Sequence, residues 1–144
     1  ILSFGTISKM FSNLKSNIRK EICNSGEYSR KYIEKIYKNN LQMVSNLRSI
    51  CAPHCRLYGN HFPYNVSLSD CDVALFFEYG VPLPSDSTST PFHLIFALCN
   101  LMNSEYERKR FVKKLKHLFF KYSSSIDIHE LGFDKKWIKL LNKR

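Results

Sequence analysis

The chain has 144 residues, 44% of them hydrophobic, and its 22 Lys and Arg against 12 Asp and Glu give a formal net charge of +10. This apolar fraction favours a folded protein and argues against a disordered chain, and no apolar run approaches the ~20 residues of a membrane span. The basic excess is expected to attract polyanions, nucleic acid before an anionic membrane, although it could also serve solubility alone. An odd count of five cysteines and no signal-peptide pattern favour reduced thiols in a cytoplasmic protein.

Two helices are predicted in the first third of the chain. Residues 7–22 carry apolar side chains on one stripe, with Thr6 as a candidate N-cap. A second apolar stripe predicts a helix over residues 29–52, which Asn39-Asn40 could divide into two pieces. Pro53 predicts a helix boundary or a kink, because proline disfavours the helical conformation of the preceding residue.

The middle of the chain has a weaker pattern. Residues 71–79 are apolar and could form a helix or a strand, and residues 85–91 are a polar loop. Residues 92–102 are apolar nearly all round and predict a buried helix, and a short last helix is expected around Trp137. We therefore expect residues 1–144 to form one all-α domain, a helical bundle.

The most basic of the predicted helices begins after Ser104. Ser104 and Glu107 have the three-residue spacing of a capping box. We expect its apolar stripe to consist of Phe111, Leu115, Leu118 and Tyr122. We expect its cations to point outward, namely Arg108, Lys109, Arg110, Lys113, Lys114, Lys116 and Lys121. Such a face is usually just solvated, but here few carboxylates offset it, which favours a phosphate-binding surface.

The residues best suited to catalysis lie at the end of the second helix and across Pro53, where Arg48, His54 and Arg56 fall within nine residues. Cleaving RNA without a metal requires proton transfer to and from ribose and leaving oxygens, which suits histidine, and a cation for the phosphorane, which suits arginine. One His and one Arg are half of such a site, so a two-fold dimer would complete it. Equally, the arginine could cap the helix and the histidine could be a turn residue.

Metal binding is an alternative use of the same segment. Cys51, His54 and Cys55 are candidate zinc ligands, with His61 or Cys71 as a fourth. There is no paired Cys-x-x-Cys knuckle, and Cys51 lies on the predicted apolar stripe, where a buried thiol is the simpler expectation. We therefore expect no metal and no cofactor.

The segment over residues 47–58, Leu-Arg-Ser-Ile-Cys-Ala-Pro-His-Cys-Arg-Leu-Tyr, resembles the central motif of Abi-like (abortive infection) proteins of the AbiD/AbiF type. That motif typically reads Leu-Arg-Asn-x-Cys-Ala-His-His-x-Arg-Leu-Trp-Asn. Residues 2–15 and 128–137 are similar to segments on either side of it, in the same order. The first residue is Ile1 and family members are typically longer, so we expect this to be the C-terminal portion of an Abi-like protein, with an N-terminal part missing.

The family is grouped with the HEPN superfamily, whose ribonucleases place an arginine a few residues before a histidine at a dimer of helical units. The resemblance implies a homodimeric protein of antiphage defence or a toxin that acts by cleaving RNA and is sometimes restrained by a partner RNA. It makes Arg48 and His54 the catalytic residues and Arg56 an assisting cation. We expect Tyr58 to bind RNA together with basic side chains of the later helix, namely Arg108, Lys109, Lys113 and Lys114.

Three substitutions separate this chain from the family pattern. Pro53 stands where the first histidine is usual, Ser49 where asparagine follows the arginine, and Gly59 where asparagine follows the aromatic residue. His54 still lies within the superfamily's range of spacings. An inactive RNA-binding or regulatory module is therefore the alternative to an endoribonuclease, and a structural role in protein interaction is a third.

Overall fold

The computed structural model describes residues 3–25, 34–53, 57–59, 61–85 and 89–142. Within these ranges the secondary structure is helical apart from one isolated bridge between Phe62 and Ser89, so the predicted all-α class is confirmed. The helices are α1 (Phe4–Asn13), α2 (Ser16–Asn24), α3 (Glu34–Cys51), α4 (Asp70–Tyr79), α5 (Pro91–Leu101), α6 (Glu105–Lys121), a 3₁₀ helix η1 (Ile128–Leu131) and α7 (Trp137–Asn142).

The prediction of one helix over residues 7–22 is wrong, because the chain breaks between α1 and α2. Leu14 and Lys15 are extended, with φ/ψ of −68°/153° and −61°/148°. Arg19 holds the break by donating to the carbonyl oxygens of Ser12 (3.1 Å) and Leu14 (3.0 Å), and its Nε donates to Glu34 Oε2 of α3 (2.7 Å). One guanidinium therefore caps the end of α1 and ties both short helices to α3.

The start of α1 also differs from the prediction. Ser3 is the N-cap, since its hydroxyl accepts from the backbone N–H of Thr6 at 3.1 Å. With the stripe divided between two helices, Phe11 packs against α3 while Ile7 and Met10 are 41% and 52% exposed. The apolar stripe that predicted one long helix is therefore divided into two short contacts, one from α1 and one from α2.

Helix α3 is the central element and is not interrupted at residues 39–40. The Asn39 side chain donates to the Asn65 carbonyl (2.9 Å) and accepts from the Ser67 amide (2.8 Å), which fixes the loop before α4. α1 runs antiparallel to α3, because the Phe11 ring lies 4.9 Å from that of Tyr37 near one end and an added Gly5 Cβ would meet Ser45 near the other. α3 also packs extensively against α5.

Residues 71–79, whose apolar pattern fits a helix or a strand, are in helix α4. Ser69 and Asp72 form a reciprocal capping box, and Gly80 ends the helix at φ 67°. These local signals determine the helix even though its apolar residues lack a clear period.

The main core forms where α5 meets the C-terminal elements. α5 is buried almost all round, as predicted, and its Phe92 lies edge-on to Phe133 with ring centroids 5.0 Å apart. Phe119 of α6 and Trp137 of α7 contact the same Phe133 ring. This aromatic cluster anchors α6 and determines which of its faces is left outside.

Candidate functional site

Arg48 lies in the last turn of α3 and is exposed. The helix ends at Cys51, followed by a turn that contains Pro53, so the predicted boundary is confirmed. No partner of the Arg48 side chain is found among the residues that the structure describes, whereas the neighbouring Ser49 hydroxyl donates to the Ser45 carbonyl at 3.0 Å. The guanidinium is therefore presented to solvent and is in no ion pair with the described part of the chain.

The other two motif residues, His54 and Arg56, lie outside the described residues. The chain is described again at Leu57, which packs with Leu47 and Ile50 of α3 in one apolar cluster. Tyr58 then follows with 46% of its surface exposed. Residues on both sides of His54 thus lie at the end of α3, and its approach to Arg48 stays a prediction.

The orientation of α6 differs in part from the one predicted, since Phe111 and Leu115 pack against the core as expected but other residues do not. Arg108, expected to point outward, is fully buried, and Leu118 and Tyr122, expected to point inward, are 47% and 42% exposed. The inward stripe follows Arg108, Val112, Leu115 and Phe119, at the same three- and four-residue spacing but displaced around the helix. Contacts of Phe119 with the aromatic core select this orientation, so Arg108 is not available to RNA.

The displaced orientation exposes a continuous cationic surface, which we call the α6 face. It forms a shallow depression with a volume of about 530 Å³, lined by Arg110, Lys113, Lys114, His117, Leu118 and Lys121. From Arg110 to Lys121 it extends roughly 16 Å along the helix. None of its lining residues is acidic.

Lys109, another predicted RNA ligand, is exposed but forms an ion pair with Glu105 one turn earlier. The hydrogen bond and the charge of Lys109 lower the pKa of Glu105. Two exposed aromatic side chains, Tyr106 and Phe120, accompany these cations with 73% and 80% of their surface accessible. Neither is among the site residues predicted from the sequence, although aromatic residues among lysines are a signal for base stacking.

A second polar depression, which no sequence motif indicates, lies between α1 and α3. It has a volume of about 520 Å³ and is lined by Ser8, Lys9, Ser12, Asn13, Lys35, Lys38, Asn39, Gln42 and Ser67. We call it the α1–α3 groove. Its residues come from three separate stretches of sequence, so only the packing of the helices brings them together.

The zinc hypothesis gains no geometric support in the described part of the chain, where no three His, Cys, Asp or Glu side chains form a candidate metal site. Cys51, expected on a buried stripe, is exposed, although partial burial raises the pKa of its thiol. His54 and Cys55 lie outside the described ranges.

None of the helices described in the structure is long and apolar enough for a membrane span.

The fold and these surfaces define an all-α protein that presents cationic faces to solvent. Residues 1–59 match the model of a family described as Abi-like protein, which confirms the resemblance to that family. The match covers α1, α2, α3 and the segment containing Arg48 and His54, whereas α6 lies beyond it. The comparisons with curated proteins and with solved structures give no significant match.

Proposed function

We propose that this chain acts in abortive infection by binding RNA and cleaving it without a metal ion, as an endoribonuclease of the HEPN type. The Abi-like match over residues 1–59 carries the proposal, because it includes the Arg48–His54 motif. The exposure of Arg48 at the end of α3 supports it, since a phosphate-binding arginine must reach the substrate.

The proposed reaction is an internal transfer at a phosphodiester of RNA. The ribose 2′-oxygen loses its proton to a general base and attacks the adjacent phosphorus, and the 5′-oxygen leaves with a proton from a general acid. His54 acts in one of these proton transfers, because imidazole titrates near neutral pH. Arg48 binds the phosphate oxygens as negative charge builds up, Arg56 assists, and the second histidine comes from the other protomer of a homodimer.

The α6 face is proposed to hold the RNA backbone. Its cations are not offset by acidic lining residues, so bound phosphates would release counterions there. Lys113 and Lys114 are at its centre, and Tyr106 and Phe120 are positioned to stack on unpaired bases. Lys109 contributes less because Glu105 already pairs with it.

The decisive experiment is RNA cleavage by the full-length protein in the presence of EDTA. We expect the wild type to leave 2′,3′-cyclic phosphate ends and His54→Ala or Arg48→Ala to lose about 100-fold or more in rate. His129→Ala is the matched control, because His129 is exposed in η1 and belongs to neither the motif nor the α6 face. If His54→Ala cut RNA as fast as wild type, the catalytic assignment would be wrong.

Pro53 favours a second candidate function, an RNA-binding module without catalysis, because it occupies the position of the family's usual first histidine. This candidate predicts RNA affinity that falls with salt and no cleavage at any protein concentration. Cleavage by wild type that disappears in His54→Ala excludes it.

A further inference from the structure

The α1–α3 groove concentrates positive charge without acidic neighbours in its lining. Lys9 comes from α1, and Lys35 and Lys38 come from α3, and all three are exposed. The other lining residues are serines, asparagines and a glutamine, which offer hydroxyl and amide groups for hydrogen bonding. A groove of this composition suits an anion that also carries polar groups.

The nearest carboxylate in sequence, Glu34, is engaged elsewhere. Arg19 donates to its Oε2 at 2.7 Å and Ser16 donates to its Oε1 at 3.0 Å, and the Arg19 hydrogen bond lowers the pKa of Glu34. Since this carboxylate is bound on the α2 side of α3, it is already paired and does not neutralise Lys35 from within the groove.

The walls of the groove are held in place by contacts that the lysines do not provide. Asn39 is fixed by its bonds to Asn65 and Ser67, as described above, and Gln42 Nε2 donates to Asn46 Oδ1 at 3.1 Å. On the α1 side, the Ser12 hydroxyl donates to the Ser8 carbonyl at 2.9 Å. A preformed site of this kind costs less to order when a ligand binds.

We infer that the α1–α3 groove binds the phosphate group of a ribonucleotide, with the lysines on the phosphate and the amides and hydroxyls on the sugar and base. Its volume of about 520 Å³ lies within the range of small-molecule pockets and admits one nucleotide. The ligand is a free nucleotide or one unit of an RNA strand. The inference that the ligand is part of an RNA strand rests on the proposed function, whereas a free nucleotide as the ligand does not.

The test compares the full-length protein with the triple variant Lys9→Gln, Lys35→Gln, Lys38→Gln by calorimetry. The probes are adenosine and uridine 5′-monophosphate, inorganic phosphate, and a short single-stranded RNA. The control triple variant Lys135→Gln, Lys136→Gln, Lys139→Gln removes the same charge from exposed positions near and within α7. A Lys-to-Arg triple variant of the groove keeps the charge and checks that the fold is unaffected.

We expect the groove variant to lose at least about tenfold in affinity for the probe that binds, while the control and the Arg variant keep theirs. Loss of mononucleotide binding identifies a free nucleotide as the ligand, and loss confined to the RNA identifies a strand. If no probe binds the wild type, or if the groove and control variants weaken binding equally, the inference is wrong. If the chain bound nucleotides through the groove but bound no RNA, the proposed function would be refuted and the inference about the groove would stand.

Discussion

Gly132 is a residue whose identity the packing dictates. It ends η1 at φ 83°, and a Cβ built there would lie 2.2 Å from the Thr90 hydroxyl oxygen. Thr90 precedes α5 and its hydroxyl contacts the buried His93 ring at 3.1 Å, so it cannot easily move away. Gly80 has a similar φ of 67° but nothing within 4 Å of an added Cβ.

We therefore expect Gly132→Ala to lower the free energy of unfolding by about 2–5 kcal/mol, the sum of left-handed strain and overpacking. Gly80→Ala should cost only the strain, about 1–2 kcal/mol. Urea denaturation of both variants provides the measurement. Equal losses would show that the contact with Thr90 relaxes without cost.

His93 is buried in a neutral form that two hydrogen bonds define. The Thr90 backbone N–H donates to Nδ1 at 3.1 Å, so Nε2 carries the proton and donates to the Pro82 carbonyl at 3.1 Å. Burial lowers the pKa of His93, an effect that the bond to Pro82 only partly opposes.

Because the folded-state pKa of His93 lies below that of the unfolded chain, the unfolded state binds the proton more readily. The free energy of unfolding should have its full value above about pH 6.5. It should decrease as the pH falls from there through the folded-state pKa of His93. Unfolding free energies measured from pH 8 to pH 5 should show this slope, and His93→Gln should flatten it. The lowered carboxylate pKa values of Glu34 and Glu105 act only at more acidic pH. An unchanged slope in His93→Gln would assign the effect to another group.

At the scale of elements, the orientation of α6 controls which cations are exposed to solvent. The core residues Val112 and Phe119 turn Arg108 inward and leave Lys113 and Lys114 at the centre of the α6 face. If α6 were rotated about its axis by one residue position, it would present a different set of charges to solvent. RNA affinity should therefore depend on where the cations lie on the surface rather than on the net charge of the protein.

The double variant Lys113→Gln, Lys114→Gln should weaken single-stranded RNA binding and reduce the slope of log K against log salt by roughly 1.4, about 0.7 for each lost phosphate contact. Lys135→Gln, Lys136→Gln removes the same charge from exposed positions before α7 and should leave the slope nearly unchanged. Fluorescence anisotropy at several salt concentrations provides both slopes. The same decrease in both variants would mean that charge alone attracts the RNA.

At the scale of the whole molecule, the proposed nuclease needs two protomers. If each cleft requires His54 from both, then only dimers of two wild-type protomers are active. Equimolar exchange of wild type with His54→Ala leaves about a quarter of the dimers fully wild type, and activity should fall to that fraction of the unmixed wild type at equal total protein. Independent sites would retain about half of that activity. Cleavage assays after exchange distinguish the two cases, and sedimentation checks that dimers form.

Much of the helical content could be predicted from sequence because caps, prolines and apolar periods act over a few residues. The end of α3 before Pro53, the buried α5 and the start of α6 at Ser104 all follow from such local signals. The family motif was equally local, and the match over residues 1–59 confirms the resemblance it indicated.

Contacts between distant residues decided the rest. The bonds of Arg19 to Glu34 accompany a break that the apolar stripe did not reveal, and the aromatic core turned Arg108 inward. The α1–α3 groove exists only because antiparallel packing brings Lys9 near Lys38. A periodic sequence specifies that a helix has an apolar face, but the edge of that face depends on the partners it packs against. For this reason the sequence by itself determined the helices and the motif, whereas only the tertiary structure decided which cations are exposed.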